Sequence, residues 1–398
     1  MDRSRVLVVG AGPVGLAAAT YLASAGIPVT VVEASADLPD DLRASTFHPP
    51  TLDMLDRFGV TEKLIPLGLI CPLWQFRDRD EGVVATFDLS LLAGETGHPY
   101  RLQCEQWKLA RVLRDDLARS SEAEVLYGLQ AVGVRQDDDS VVLTVKEPDG
   151  HQRELCGSYL IGADGARSVV RRAIGVAFEG QTIPEIFLSI STPRAFDEGI
   201  PDLAPIAYIS DPEEWVVLLR TPSLWRVLLP TDPTQTEAEM RAADAVEERL
   251  QSVLPLPRRY DVVHTTAYRV HERVADRYVA GRVFLAGDAA HVNNPLGGMG
   301  MNGGIHDAMN LAEKLCAVWN GAPRALMGRY ERQRRKVALE TVQAQTLRNR
   351  QMMNERDPAA RRAFQDELRR TVADTDRHRA YVRRTSMLQS LRDLEQVE

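Results

Sequence analysis

Val6-Leu-Val-Val-Gly10-Ala-Gly12-Pro-Val-Gly15 decides the fold. Four apolar residues read as a buried strand, the glycines as a tight turn, and residues 14–25 as a helix that Gly26 ends. Val29–Val32 reads as a second strand closing on Glu33. This is a βαβ unit of about 30 residues. Gly12 lets the backbone approach a pyrophosphate, and the helix points its amide end at those phosphates. Glu33 lies 18 residues after Gly15, followed by Ala34. A carboxylate there can accept hydrogen bonds from both hydroxyls of an adenosine ribose and would repel a 2′-phosphate. Gly10, Gly12, Pro13, Val14, Gly15, Glu33 and Ala34 are therefore candidate dinucleotide-binding residues. The turn alone does not separate NAD from FAD.

The bulk numbers narrow the setting. The chain has 398 residues, enough for more than one core at about 150 residues per domain. A net charge of −8 argues against nucleic acid as a partner. Cys71, Cys104, Cys156 and Cys316 are scattered without a CxxC spacing, so neither a metal site nor a redox dithiol is expected. Free thiols suit a cytoplasmic protein. Residues 6–32 carry no charge and could pass for a signal peptide or a membrane span. Gly10, Gly12, Gly15 and Gly26, with Pro13 and Pro28, break that run, so stable membrane insertion is not expected.

Two later turns carry the cofactor argument further. Gly162-Ala-Asp164-Gly165-Ala-Arg167-Ser168 follows an apolar stretch. Val283-Phe-Leu-Ala-Gly287-Asp288 is a strand running into a turn with a carboxylate, which can bind a ribitol hydroxyl of FAD. Pro295-Leu-Gly297-Gly298-Met-Gly300-Met301-Asn302 is a glycine-rich loop opening a helix over 302–318. Its amides can face an isoalloxazine ring and stabilise negative charge on the reduced flavin. Around these turns, residues 152–161 alternate like a strand and 236–254 read as one helix. The arginine clusters at 332–335, 361–362 and 369–370 read as solvated helix faces. The expected architecture is α/β. A Rossmann-like FAD-binding domain (1–72, 101–177 and 267–340) carries an inserted β-rich substrate domain (73–100 and 178–266). C-terminal helices fill 341–398.

With these motifs in this order, the sequence resembles the class A flavoprotein monooxygenases, the para-hydroxybenzoate hydroxylase-like aromatic hydroxylases. The resemblance runs from about residue 5 to 335. It implies that Arg43, in Arg43-Ala-Ser-Thr-Phe-His48-Pro-Pro, contacts FAD. Gln106, opening Gln106-Trp-Lys-Leu109, would contact the flavin side chain, with Gln103 a nearby alternative. Asp164 and Gly165 match a motif tied to both FAD and reduced nicotinamide binding. Asp164 could equally hold its own turn, and Arg167 and Arg171 could brace a helix. Gly287 and Asp288 match the later FAD motif.

The implied reaction has NADH or NADPH reduce FAD, which takes O2 to form a C4a-hydroperoxide and hydroxylates an electron-rich ring. Phenolic acids, hydroxypyridines and polyketide phenols are all compatible substrates. Pro295 and Gly298, with Gly300, Met301 and Asn302, would line the flavin and the oxygen pocket; His48 and Asn293–Asn294 are candidate substrate-side polar groups, and His48, in a proline-bounded loop, could equally be a surface turn residue. His291 fits the pattern equally well as a turn brace, and His264, Arg269 and His271 read as ordinary sheet residues. Tyr208, Arg220 and Trp225 fall where the family keeps its substrate wall, and Arg220 could pair with a ring carboxylate. No residue stands out as the base that activates a phenol. Too few residues follow the flavin core for the thioredoxin-like domain of the phenol hydroxylase branch, and the halogenase WxWxIP motif is missing. Isoprenoid epoxidases and quinone-pathway hydroxylases share the fold and are the alternative reading. A non-catalytic FAD-fold carrier would be expected to lose the loop 295–302, which is intact. Oligomeric state leaves no mark on the sequence.

Overall fold

The computed structural model describes residues 5–40, 42 and 44–397. A six-stranded sheet is built around Val6–Val9, which pairs in parallel with Val29–Val32 on one side and Tyr159–Gly162 on the other. Val283–Leu285 extends it beyond Tyr159–Gly162. Strands buried on both faces need continuous apolar runs, and all four residues of Val6–Val9 and of Val29–Val32 are buried. The helices Pro13–Ser24 and Met299–Trp319 pack on each other against this sheet. All three glycine turns therefore leave the carboxyl ends of adjacent parallel strands, where open α/β sheets bind ligands.

The second sheet has eight strands and is mostly antiparallel. Its middle is formed by Phe178–Thr192, Trp225–Thr231, Val216–Arg220 and Ile206–Ser210. Leu73–Asp78 and Gly82–Asp88 complete one edge. At the other edge, His264–Ala275 pairs with Phe178–Thr192, so a domain boundary at residue 267 would cut through a strand. The C-terminal helices Pro358–Ala373 and Thr375–Thr385 close over this sheet and share its core through Leu368, Tyr381 and Val382.

Three local expectations are corrected. Residues 152–161 form two strands in different sheets, Gln152–Gly157 and Tyr159–Gly162, with the switch at Ser158. The 236–254 stretch breaks after Glu237–Met240, because Ala242 is extended at φ −58° and ψ 137° before Ala243–Val253 begins. The helix after the last glycine loop starts at Met299 rather than Asn302, since Gly298 at φ 66° supplies the left-handed turn that launches it. Among the described residues, no helix is long and apolar enough to cross a membrane.

Candidate active site

Gly12 caps Pro13–Ser24, and Pro13 fills the first turn where no amide is needed. A Cβ on Gly15 would lie 2.0 Å from the Gly10 carbonyl oxygen, whereas one on Gly12 would meet nothing within 4 Å. Gly15 is thus required for packing, and Gly12 leaves open space at a helix N-terminus. Glu33 accepts hydrogen bonds from the Ala11 amide at 2.8 Å and the Ser35 amide at 2.9 Å. Those bonds orient the carboxylate and leave it further acceptor capacity. Ala34 is exposed beside it.

The second turn is held from within. Asp164 accepts from Ser168 Oγ at 2.5 Å and from the Val169 and Val170 amides at 2.7 and 3.1 Å. Its carboxylate caps Val169–Ala173 and supports the turn at Gly165. Arg171 donates to Ala166 O at 2.7 Å and to Ala289 O at 2.8 Å, tying the second turn to the third. Arg167 is exposed.

The third turn rests on a buried charge cluster. Asp307 accepts from the Gly287 amide at 3.0 Å, from His291 Nε2 at 2.8 Å and from Arg334 Nε at 2.5 Å. Burial opposes ionisation of Asp307, but Arg334 and His291 outweigh it and hold the carboxyl below its usual range. His291 is accordingly a brace for the turn. Arg334 is 1% exposed, which corrects the reading of its cluster as a solvated face. Asp288 points the other way and is exposed.

The loop 295–302 is fastened by Asn302. Its side chain accepts from the His48 amide at 2.9 Å and Thr51 Oγ1 at 2.7 Å, and donates to Thr46 O at 2.8 Å and Gly298 O at 2.6 Å. The side chain has no capacity left for a ligand, so only the backbone of Asn302 can serve one. His48 is fully buried and donates from Nε2 to Gly297 O at 2.9 Å. Burial, reinforced by the nearby Arg101, holds its pKa well below the usual histidine value, so the ring is neutral. His48 supports the loop from behind rather than lining the cavity in front of it.

That cavity measures about 430 Å³. One wall contains Gly12, Pro13, Val14, Gln106, Gly165, Asp288, Pro295, Gly298, Gly300 and Met301. The opposite wall is the large sheet, with Tyr208, Val217, Leu219, Leu228 and Tyr268, and with the polar Arg226, Arg269 and His271, so the latter two are cavity residues rather than ordinary sheet residues. Gln106 is on the wall, while Gln103 is buried away from it and bonded to Thr46 Oγ1. Gly10, Gly15 and Gly287 shape the turns behind the surface. Arg220 is not part of the cavity, because it pairs with Asp197 on the far side of its strand. Trp225 is buried against Phe196 in a separate core and is also removed from the site. Arg43 lies outside the described residues.

Behind Tyr208 and Gly297 lies a second, smaller pocket of about 20 Å³. Arg101 forms part of it, 2% exposed, on Arg101–Gln103, the middle strand of a small three-stranded sheet with Thr46–Phe47 and Leu69–Cys71. Nothing in the sequence marks this residue, since a cation in a three-residue strand has no periodic signature.

Residues 3–345 match the family model described as FAD binding domain. The chain belongs to this family of flavin-dependent aromatic hydroxylases. It is 37% identical to para-nitrophenol 4-monooxygenase of Pseudomonas sp. (strain WBC-3), over 98% of this chain and 95% of that one. It is 34% identical to 6-hydroxy-3-succinoylpyridine 3-monooxygenase of Pseudomonas putida (strain DSM 28022 / S16), over 96% and 97%. The crystal structure of p-nitrophenol 4-monooxygenase from Pseudomonas putida DLL-E4 superposes with a TM-score of 0.92 at 34% identity, covering 97% of this chain and 99% of that one. The α/β fold and FAD as cofactor, both expected for a flavin-dependent aromatic hydroxylase, agree with these relatives.

Proposed function

We propose that this protein is an FAD-dependent monooxygenase that places one oxygen atom on a single-ring phenol or hydroxypyridine, using NADH or NADPH and O2. One observation carries the reading. A single cavity joins the three glycine turns to a wall of the large sheet whose apolar and aromatic side chains are interrupted by Arg226, Arg269 and His271, so cofactor and ring would share one space. The two relatives named above act on a nitrophenol and a hydroxypyridine by their names, and both are monooxygenases.

The residues present suit FAD. The open space at Gly12 and the helix behind it would receive the pyrophosphate. Glu33 would take the ribose hydroxyls, and Arg43 would add a cation beside the cofactor. The exposed carboxylate of Asp288 would accept from the ribitol chain. Gln106, Pro295, Gly298, Gly300 and Met301 would line the ring, with the N-terminus of Met299–Trp319 favouring negative charge on it. Asp164 would act through the Gly165 turn that it holds. Bound FAD supplies the electron and oxygen transfer. The chain's own part is to position the ring against Val217, Leu219 and Leu228, to exclude water, and to set the charge around it.

The test is reconstitution with FAD followed by NADH and NADPH oxidation in air with a panel of phenols and hydroxypyridines. Oxidation stimulated by one ring class is expected. Bound flavin with no response to any aromatic would favour the epoxidase reading. Asp288→Ala is expected to weaken FAD about 10-fold, the scale of one lost hydrogen bond to a charged group. Unchanged affinity by flavin titration would remove Asp288 from the ribitol contact.

A further inference from the structure

Arg101 is a buried cation without a counter-charge. Among the described residues, its Nε and Nη1 have no hydrogen-bond partner. The guanidinium lies 5.0 Å from the Trp74 ring centroid and borders the same pocket as the Tyr208 side chain. A cation–π contact offsets part of the desolvation cost but gives the free N–H groups no acceptor. The titratable groups facing it are Tyr208, Tyr381, Cys71 and His48. Burial pushes the Tyr381 hydroxyl and the Cys71 thiol up to about 12, raises Tyr208 and lowers His48, so all four are uncharged near neutral pH. Farther out, Arg220 beside Cys71 is already paired with Asp197, and Arg348, Arg384 and Glu367 face Tyr381 from its other side. Among the described residues, no carboxylate forms an ion pair with Arg101. Burying a charge this way is costly unless something else neutralises it.

The pocket that Arg101 borders says what could do so. The pocket is small, about 20 Å³, and its lining of Trp74, Phe76, Tyr208 and Tyr381 leaves Arg101 as its one cation among the described residues, so a polar group of a ligand can reach the guanidinium there. Tyr208 belongs both to this pocket and to the wall of the large cavity, so the two spaces adjoin at its side chain and at the loop 297–298. We propose that Arg101, assisted by the Tyr208 hydroxyl, receives an anionic oxygen carried by the aromatic substrate, whose ring lies in the large cavity. Arg101 thereby selects ionised ring substrates, and its favoured partner is a phenolate. This deepens the hydroxylase reading and rests on it. No covalent step is involved: the phenol proton passes to solvent before or during binding, and the oxyanion gains charge-assisted hydrogen bonds that a neutral phenol would not fully use.

The experiment is ligand binding to the FAD-reconstituted protein without NADH or NADPH, so that no turnover occurs. Three probes are titrated: 4-nitrophenol, benzoate and nitrobenzene. 4-Nitrophenol changes colour on ionisation, so its bound form reports its own charge at a pH below its solution pKa. The expected result is a phenolate band in the parent protein, read as the difference spectrum against the ligand-free FAD-loaded protein because flavin is itself yellow. Arg101→Met should weaken binding on the order of 30-fold and abolish the phenolate difference band, while leaving nitrobenzene unchanged. Tyr208→Phe removes one hydroxyl only and should give a smaller loss of the same kind. A loss confined to benzoate would assign the oxyanion to a carboxylate and overturn the phenolate preference. Equal losses for nitrobenzene, or no loss at all in either variant, would make Arg101 a structural cation and overturn the proposal. A protein that binds FAD and hydroxylates a ring but is indifferent to Arg101→Met fails this inference alone. One that takes up no FAD fails the hydroxylase reading itself.

Discussion

Gly12→Val is expected to yield a folded protein that does not hold FAD. Gly12 has φ −72° and ψ 177°, an extended conformation that valine adopts readily. Among the described residues, nothing beyond its chain neighbours lies within 4 Å of the position its Cβ would take. The added methyls therefore project into the space at the start of Pro13–Ser24, where a pyrophosphate must come close to the backbone. Loss of affinity should reach at least about 100-fold, or roughly 3 kcal/mol. Circular dichroism and the thermal midpoint should stay close to those of the parent apoprotein. Gly15→Ala makes the contrast. Its Cβ would collide with the Gly10 carbonyl at 2.0 Å, so the turn itself must distort and stability should fall with cofactor binding. A Gly12→Val protein with a full complement of flavin would contradict the placement of the pyrophosphate.

Asp307→Asn is expected to cost about 3–5 kcal/mol of stability, because it strands a buried Arg334. Asp307 is 0% exposed and Arg334 1%, so water cannot replace the lost charge. The same carboxylate holds the Gly287 amide, so the turn bearing Asp288 should loosen and FAD affinity should drop as well. Urea unfolding at neutral pH measures the first effect. A change below about 1 kcal/mol would contradict it. The pH dependence has a defined sign. The folded-state pKa of Asp307 is depressed below 3.8, so its contribution is present above that value and lost as pH falls through the folded pKa. The gap between parent and Asp307→Asn should therefore be constant near neutrality and close only in strong acid.

The glycine turns were legible because their chemistry is local. A strand, a turn and a helix within 30 residues carry their own period and punctuation, and Val6–Val9 to Val29–Val32 needs no distant partner to be recognised. The fastening of the loop 295–302 is not of that kind. Asn302 works through Thr46, His48 and Thr51, which are some 250 residues away in sequence. Arg334 could have been found. It continues the stripe of Met327 and Tyr330 at helical spacing, so a cation on the buried face predicts a buried anion, and Asp307 is that anion. Arg220 misled for the opposite reason: its strand borders the cavity, but its side chain turns to Asp197. Arg101 is the harder case. Its burial comes from packing under Trp74 and Tyr381, with C-terminal helices closing the pocket through Met352 and Met353, and nothing in Tyr100-Arg101-Leu102 announces that.

Aromatic hydroxylation is tested most directly by mass spectrometry of the product formed under oxygen-18 gas. The FAD-loaded protein would be given NADH or NADPH and the ring substrate that best stimulates oxidation. One labelled oxygen atom on the aromatic product is the predicted result. A product without label, or nicotinamide oxidation that yields only hydrogen peroxide with every ring tested, would contradict the assignment.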